Sequence, residues 1–198
     1  MSKLQVNTLK IPTNVPKNFF EKDVFQTGMV EKHEYEQFFW THNTVEKLMK
    51  ACQFQYVEKT CCLTTPSLAH KWHVNGRDEV LLDIDRRFSY LPKFTYYDVF
   101  HPLKLPNEFR LLILDPPFFA VPIEQIRIAV DTITDSNFET KILIAFIKRE
   151  ELRLLKAFEH YKIKRTTFEL EYASIKPNKW RNFAMYSNID LPGIKRIL

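Results

Sequence analysis

Glycine is nearly absent: the 198 residues contain three, Gly28, Gly76 and Gly193. No Gly-x-Gly pair opens a helix after a strand, which argues against a dinucleotide-phosphate loop and so against a nucleotide-dependent dehydrogenase. Cysteine is as scarce. Cys52, Cys61 and Cys62 include an adjacent pair poorly placed to bridge to each other, and no Cys-x-x-Cys occurs, so zinc binding has no support. His70-x-x-His73 alone reads as surface polar residues, and no metal is expected. Long apolar runs are missing too: residues 80–84, 111–114 and 142–147 are strand-length, far short of a bilayer span. The polar start, residues 1–16, lacks the apolar core of a secretory signal. The expectations are no membrane association and a cytoplasmic or nuclear, including nucleolar, location. The net charge of +5 is compatible with an RNA partner without requiring one.

Residues 30–198 read as a single domain, large enough for one good core, behind an N-terminal extension of residues 1–29. Residues 30–54 read as one or two helices. From about Thr60 the pattern alternates: a β-rich run over 60–65 is ended by Pro66, and Ser67 is placed to cap a helix through about His73. Residues 80–85 predict a buried strand after the turn Asn75-Gly76, residues 94–100 a third, aromatic one, and residues 109–115 a fourth. Pro122 opens a helix to about Thr134, with Ile123, Ile126, Val130 and Ile133 at helical spacing. Residues 141–147 predict a fifth strand, and residues 150–161 a helix that buries Leu152, Leu155, Ala157 and Phe158. Two last strands, 165–172 and 182–188, stand either side of Pro177. The expected fold is α/β: a mostly parallel sheet covered on both faces, with a C-terminal antiparallel hairpin at its edge.

The four most informative residues are Asp115-Pro116-Pro117-Phe118, directly after the apolar run 111–114. Open α/β sheets bind ligands outside the carboxyl ends of their strands. Two prolines supply no N–H and fix φ, so Asp115 and the neighbouring carbonyls form an all-acceptor surface with an aromatic ring beside it. Such a surface suits an amino group held in line for attack on a methyl sulfonium. Asp-Pro-Pro-Phe resembles the (Asp/Asn)-Pro-Pro-(Tyr/Phe/Trp) element of amino-group methyltransferases that use S-adenosylmethionine. The resemblance makes Asp115, Pro116, Pro117 and Phe118 the candidate catalytic residues and S-adenosylmethionine the expected cofactor.

A methyltransferase has no pyrophosphate to cradle, so the missing glycine loop is tolerable. Thr64-Thr65-Pro66-Ser67 stands in its place and offers hydroxyls and a helix N-terminus to the methionine carboxylate. The second strand ends in Asp83-Ile84-Asp85-Arg86-Arg87-Phe88, where a carboxylate can accept both ribose hydroxyls. Period-two alternation puts Asp83 and Asp85 on one face, with Asp85 nearer the carboxyl end. In Asp98-Val99-Phe100, Asp98 is placed to accept from the adenine amino group while Phe88 or Phe100 covers the ring. With Asp115, these strand-end acids would line a single crevice.

The order of these pieces is similar to one family, once labelled N6-adenine methyltransferases. It contains lysine methyltransferases of translation elongation factor 1A and the catalytic domain of a zinc-finger-bearing ribosomal RNA adenine-N6 methyltransferase. The resemblance covers about residues 38–198, through Phe38-Phe39-Trp40, Cys62-Leu63-Thr64-Thr65-Pro66-Ser67-Leu68, Leu81-Leu82-Asp83-Ile84-Asp85-Arg86-Arg87-Phe88, Tyr97-Asp98 and Asp115 to Phe118. It implies a Rossmann-like class I S-adenosylmethionine-dependent methyltransferase. Tyr97-Asp98, the stretch 102–106 and Asn178-Lys179-Trp180-Arg181-Asn182-Phe183 resemble the lysine branch. Thr65-Pro66 with Leu68, the run 82–85, Ile123-Glu124-Gln125-Ile126 and Tyr186-Ser187-Asn188-Ile189 resemble the RNA branch, but the zinc fingers of that relative are lacking.

The expected acceptor is adenine N6 in RNA of the ribosomal kind: Phe118 offers a stacking face and the net charge suits a polyanion. Trp40, Phe118 and Phe119 would contact the substrate, and the basic residues Lys176, Lys179 and Arg181, with Lys162, Lys164 and Arg165, would grip its phosphates. A lysine of elongation factor 1A is the alternative, and it must first lose a proton held with a pKa of about 10.4. A third reading is a non-catalytic, methyltransferase-like binding subunit, for which the absent glycine loop speaks. Oligomeric state stays open.

Overall fold

A strand covered on both faces must be apolar along its whole length, and two runs in this chain are. In the computed structural model, which describes residues 29–52, 56 and 59–197, these runs become β4 (Leu111–Leu114) and β5 (Lys141–Ile147), every residue buried except Lys141. They lie beside β1 (Thr60–Leu63) in a seven-stranded sheet of order β3-β2-β1-β4-β5-β7-β6. The flanking strands are β2 (Val80–Asp83), β3 (Phe94–Tyr96), β6 (Lys164–Arg165) and β7 (Phe183–Ser187). β1 to β5 pair in parallel; β7 runs antiparallel to both β5 and β6. This is the expected mostly parallel sheet with an antiparallel C-terminal edge. Glu31–Leu198 forms one compact unit.

Among the described residues five helices accompany the sheet: α1 (His42–Cys52), α2 (Pro66–Val74), α3 (Ile123–Thr134), α4 (Glu151–Ala157) and the single turn α5 (Pro177–Trp180). α3 buries Ile123, Ile126, Val130 and Ile133, the stripe read from its spacing. No helix among the described residues is long and apolar enough to cross a membrane. The strand order reverses between β1 and β4, and a crevice opens there outside the carboxyl ends.

Several local expectations are corrected. Thr65, not Ser67, precedes α2, where Pro66 fits the first helical position; no side chain caps that helix, because the Thr65 hydroxyl donates instead to the Ile113 carbonyl at 3.4 Å. β3 stops at Tyr96, and Asp98 sits in a turn whose Phe100 amide it accepts at 2.9 Å. The helix after β5 is shorter than 150–161, with a 3-10 turn at each end. Leu154 is buried within it and Phe158 at its C-cap, four residues on; Leu155 and Ala157 are half-buried against the core, while Leu152 is 84% exposed. The strand expected over 165–172 is reduced to β6 and isolated bridges at Thr166 and Tyr172. Residues 30–54 hold a 3-10 turn (His33–Tyr35) and α1, with 53 and 54 outside the described residues, as are residues 1–28 of the expected extension.

Candidate active site

The two strands at the reversal are tied together at their ends. Thr64, just past β1, adopts a left-handed φ of 56°, where a glycine would be unstrained and a β-branched residue is not. Its hydroxyl donates to the Asp115 carbonyl at 3.0 Å, and its amide donates to the Leu82 carbonyl at 2.9 Å. One threonine thus links β1, β2 and β4 at the spot where the glycine loop is missing.

A cavity of about 380 Å³ opens above this junction. Thr64, Pro66, Asp83, Asp85, Asp115, Pro116, Pro117, Phe118 and Phe119 line it, so nine of the expected site residues meet in one place. Thr65 is buried beneath them, and Phe88 is fully buried, edge-on to Phe39 at 6.2 Å. Asp98, Val99 and Phe100 do not line the cavity; the Asp98 carboxylate is held by the Phe100 amide and the His101 ring. The single crevice with three strand-end acids is therefore corrected to one lined by Asp83, Asp85 and Asp115. Asp98 stays on the same edge, since the Tyr97 amide donates to the Asp83 carbonyl at 3.1 Å. Trp40 is buried and bridges to Tyr172, outside the cavity lining. Lys176, Lys179 and Arg181 are exposed and also outside it.

The three acids differ in charge state. Asp85 is 6% exposed, and burial alone would raise its pKa. Hydrogen bonds from the Arg87 guanidinium (2.6 and 2.9 Å), the Arg87 amide and Gln37 outweigh this and hold its carboxyl well below the usual range. Asp83 is as buried but lacks such partners. Burial pushes its carboxyl up to about 7, opposed by the Asp85 amide at 2.8 Å. Asp115 is raised well above the usual carboxylate range by burial, opposed by the Tyr172 hydroxyl, which donates at 2.9 Å, and by the nearby Trp40 indole, which meets the geometry of a hydrogen bond to neither of them.

The stretch from Lys32 to Gln37 spans the cavity. Lys32 and Gln37 donate to Asp85 at 3.5 and 3.1 Å; Glu36 accepts the amides of Phe119 and Ala120 at 2.9 and 2.8 Å. These residues and Tyr172 escaped the sequence reading, which took the stretch for helix. Its one signal was the adjoining Phe38-Phe39-Trp40. Aromatic rings complete the wall: Phe118 packs on Phe146 at 5.2 Å and on Phe183 at 5.9 Å.

The donor and acceptor set fits S-adenosylmethionine. Its lining combines an ionised carboxylate, Asp85, with a Pro-Pro acceptor turn, in a volume within the roughly 300–1,000 Å³ of small-molecule sites. No cluster of metal-binding side chains occurs among the described residues. His70 is buried and pairs with Tyr90, and His73 pairs with Asp78, so these histidines are engaged polar groups, although His70 is not at the surface as expected. The three cysteines are buried free thiols.

Sheet order and site together define a Rossmann-like class I methyltransferase fold. In agreement, the solved 16S rRNA methylase RmtB matches with a TM-score of 0.50 at 9% identity, over 79% of this chain and 63% of that one. The family model described as probable N6-adenine methyltransferase matches residues 31–191, and the chain belongs to that family of S-adenosylmethionine-dependent methyltransferases. Similar curated proteins carry lysine in their names. EEF1A lysine methyltransferase 1 from Mus musculus is 28% identical over 110 residues, 50% of this chain but only 51% of the mouse protein. Protein-lysine N-methyltransferase M142.8 from Caenorhabditis elegans is 25% identical over 188 residues, 83% of this chain and 84% of the nematode protein.

Proposed function

We propose that this methyltransferase acts on the side-chain amine of a lysine in a protein, with translation elongation factor 1A as the first candidate substrate. The carrying observation is Asp115, a carboxyl whose proton affinity burial raises, at the bottom of an aromatic-walled cavity. A lysine ammonium must give up a proton before its lone pair can attack, and a buried carboxylate of raised pKa is a competent acceptor. Adenine N6 is already neutral and needs no such base. Phe118, Tyr172 and Phe183 around the turn favour a cation over their faces. The names of the mouse and nematode relatives support the same acceptor.

When bound, S-adenosylmethionine supplies the electrophilic methyl group. In this reading the anionic Asp85 accepts the ribose hydroxyls, and Asp83, whose carboxyl burial pushes up to about 7, contributes a weaker contact. Thr64, Thr65 and Pro66 flank the methionine end. Asp98 with Val99 stays the candidate for the adenine base, with Phe88 and Phe100 beneath or beside that end. The carbonyls of Asp115, Pro116 and Pro117 orient the incoming amine, and Phe118 and Phe119 flank it with Trp40 behind.

Adenine N6 in RNA is the second reading. The family's description and the exposed Lys176, Lys179 and Arg181 favour it. The two are separated by incubating purified protein with deuteromethyl-labelled S-adenosylmethionine and, in parallel, elongation factor 1A and total RNA. Labelled methyl-lysine with unlabelled nucleosides supports the lysine reading. Labelled N6-methyladenosine alone overturns it.

A further inference from the structure

Residues 166–172 alternate like a strand but are paired like one only at their ends. Thr166, Phe168, Leu170 and Tyr172 are buried, while Thr167 and Glu169 are exposed and Glu171 half-buried. Thr166 bridges to Arg196 and Tyr172 to Trp40. Between them the amides of Glu169 and Leu170 have no hydrogen-bonding partner among the described residues. The period-two burial is that of one sheet face, so the stretch offers strand geometry without a strand beside its middle.

A groove of about 520 Å³ runs along it, closed on the far side by Pro177, Trp180, Arg181 and Phe183, with Lys148 at its border. The Trp180 ring is fixed there, its Nε1 donating to the Tyr172 and Ile175 carbonyls at 3.1 and 2.9 Å. Phe183 lines both this groove and the cavity above Asp115, and its ring lies 4.9 Å from that of Tyr172, which bonds Asp115. The groove therefore adjoins the active-site cavity, with Phe183 in the wall of both. Its charges are mixed. Lys148 and Arg181 carry cations into it, and Arg165 one paired with Glu151 at 3.3 Å; Glu169 supplies a carboxylate, while that of Glu171 is held by Thr41 and Asn43 at 2.9 and 2.6 Å.

We propose that this groove docks an extended polypeptide segment that flanks the methylated lysine, a backbone carbonyl of that segment accepting the idle Glu169 amide and an acidic side chain meeting Lys148 and Arg181. The inference rests on the protein-lysine reading of the active site. Thr167 and Phe168 already spend their amides on the Lys195 carbonyl and the Thr166 hydroxyl, and those of Glu169 and Leu170 face opposite edges of the extended chain, so a docked segment gains one backbone hydrogen bond here and takes its specificity from side chains that meet the groove's charges. A polyanionic strand would run past the exposed Glu169, whereas a polypeptide of mixed charge meets both signs.

The test compares wild type with a Lys148→Glu/Arg181→Glu double variant and with Glu169→Pro, which removes one of the idle amides. Initial rates of methyl transfer are measured against the concentration of full-length elongation factor 1A, together with thermal melting and titration of S-adenosylmethionine. The double variant is expected to raise KM for the protein at least about tenfold, with a smaller change in kcat and with melting temperature and cofactor affinity held. Glu169→Pro should raise KM in the same direction. An unchanged KM in both variants overturns the docking proposal while leaving the lysine reading intact. Wild type that labels no lysine at all fails the reading itself, and the proposal with it. A double variant that keeps its protein KM but shows a shallower salt dependence of binding to structured RNA makes the groove a phosphate contact, which also overturns the proposal.

Discussion

Tyr172 donates its hydroxyl to Asp115 Oδ1 at 2.9 Å, across 57 residues of sequence, with the tyrosine buried and the aspartate half-buried at the cavity wall. Burial raises both pKa values, and the Asp115 charge raises that of Tyr172 further. The phenol is the hydrogen bond that most restrains the rise at Asp115. Tyr172→Phe should therefore raise the Asp115 pKa. Since the base form is the deprotonated one, the acidic limb of kcat/KM against pH should move to higher pH. Activity at neutral pH is expected to fall roughly tenfold or more, and to recover partly in alkali. An unshifted limb would separate Asp115 from the proton transfer.

Asp115→Ala removes both the base and an acceptor. Transfer should drop at least about a hundredfold, the scale of a lost transition-state contact, while cofactor affinity stays within roughly threefold. Asp115→Asn is the sharper variant: it keeps an acceptor oxygen and abolishes the base. It should be nearly as impaired as Asp115→Ala on a lysine acceptor, and largely active if the acceptor is a neutral adenine amine. Single-turnover rates at saturating cofactor distinguish these outcomes.

Asp85 is the ionised carboxylate of the cavity and Asp83 the one that burial pushes toward neutrality. Asp85→Ala is expected to weaken cofactor binding by about 1.5–3 kcal/mol, the range for hydrogen bonds to charged groups. Asp83→Ala should weaken it less. Titration calorimetry measures both, and the reverse order would transfer the ribose contact to Asp83.

Asp83 also makes stability depend on pH. Its folded-state pKa of about 7 exceeds the unfolded value, so the folded chain binds the extra proton and stability falls as pH rises from about 4 through 7. At about 1.4 kcal/mol per unit, the loss is on the order of 4 kcal/mol at most. Asp83→Asn should remove that slope in urea unfolding of the cofactor-free protein. Asp115, raised by burial likewise, leaves a residual slope of the same sign. A slope unaltered by the substitution would contradict the assignment.

The fold was legible where one pattern dominated. Continuous apolar runs gave β4 and β5, and the spacing of Ile123, Ile126, Val130 and Ile133 gave α3. Asp115-Pro116-Pro117-Phe118 marked the site because prolines state their constraint locally. What escaped depends on contacts distant in sequence. Tyr172 reads as one aromatic among eight tyrosines until folding carries it to Asp115. Glu36 has no role until the Phe119 and Ala120 amides meet it. Asp83 and Asp85 are chemically identical in the sequence, and the hydrogen bonds that Arg87 and Gln37 give to Asp85 alone separate their charge states. Leu152 misled because a short helix has room for a single buried ridge, and Leu154 with Phe158 fills it. Net charge pointed toward RNA, whereas the proton affinity that burial gives Asp115 is invisible without coordinates.

The central claim is that the acceptor is a lysine amine deprotonated at Asp115. The most direct measurement compares cells lacking the gene with the same cells carrying wild type or Asp115→Ala, by mass spectrometry of tryptic peptides and of nucleosides from total RNA. The account expects a methyl-lysine peptide that vanishes on deletion and returns with wild type but not with Asp115→Ala, while N6-methyladenosine stays constant. Unchanged methyl-lysine with N6-methyladenosine lost and restored in that pattern would contradict it.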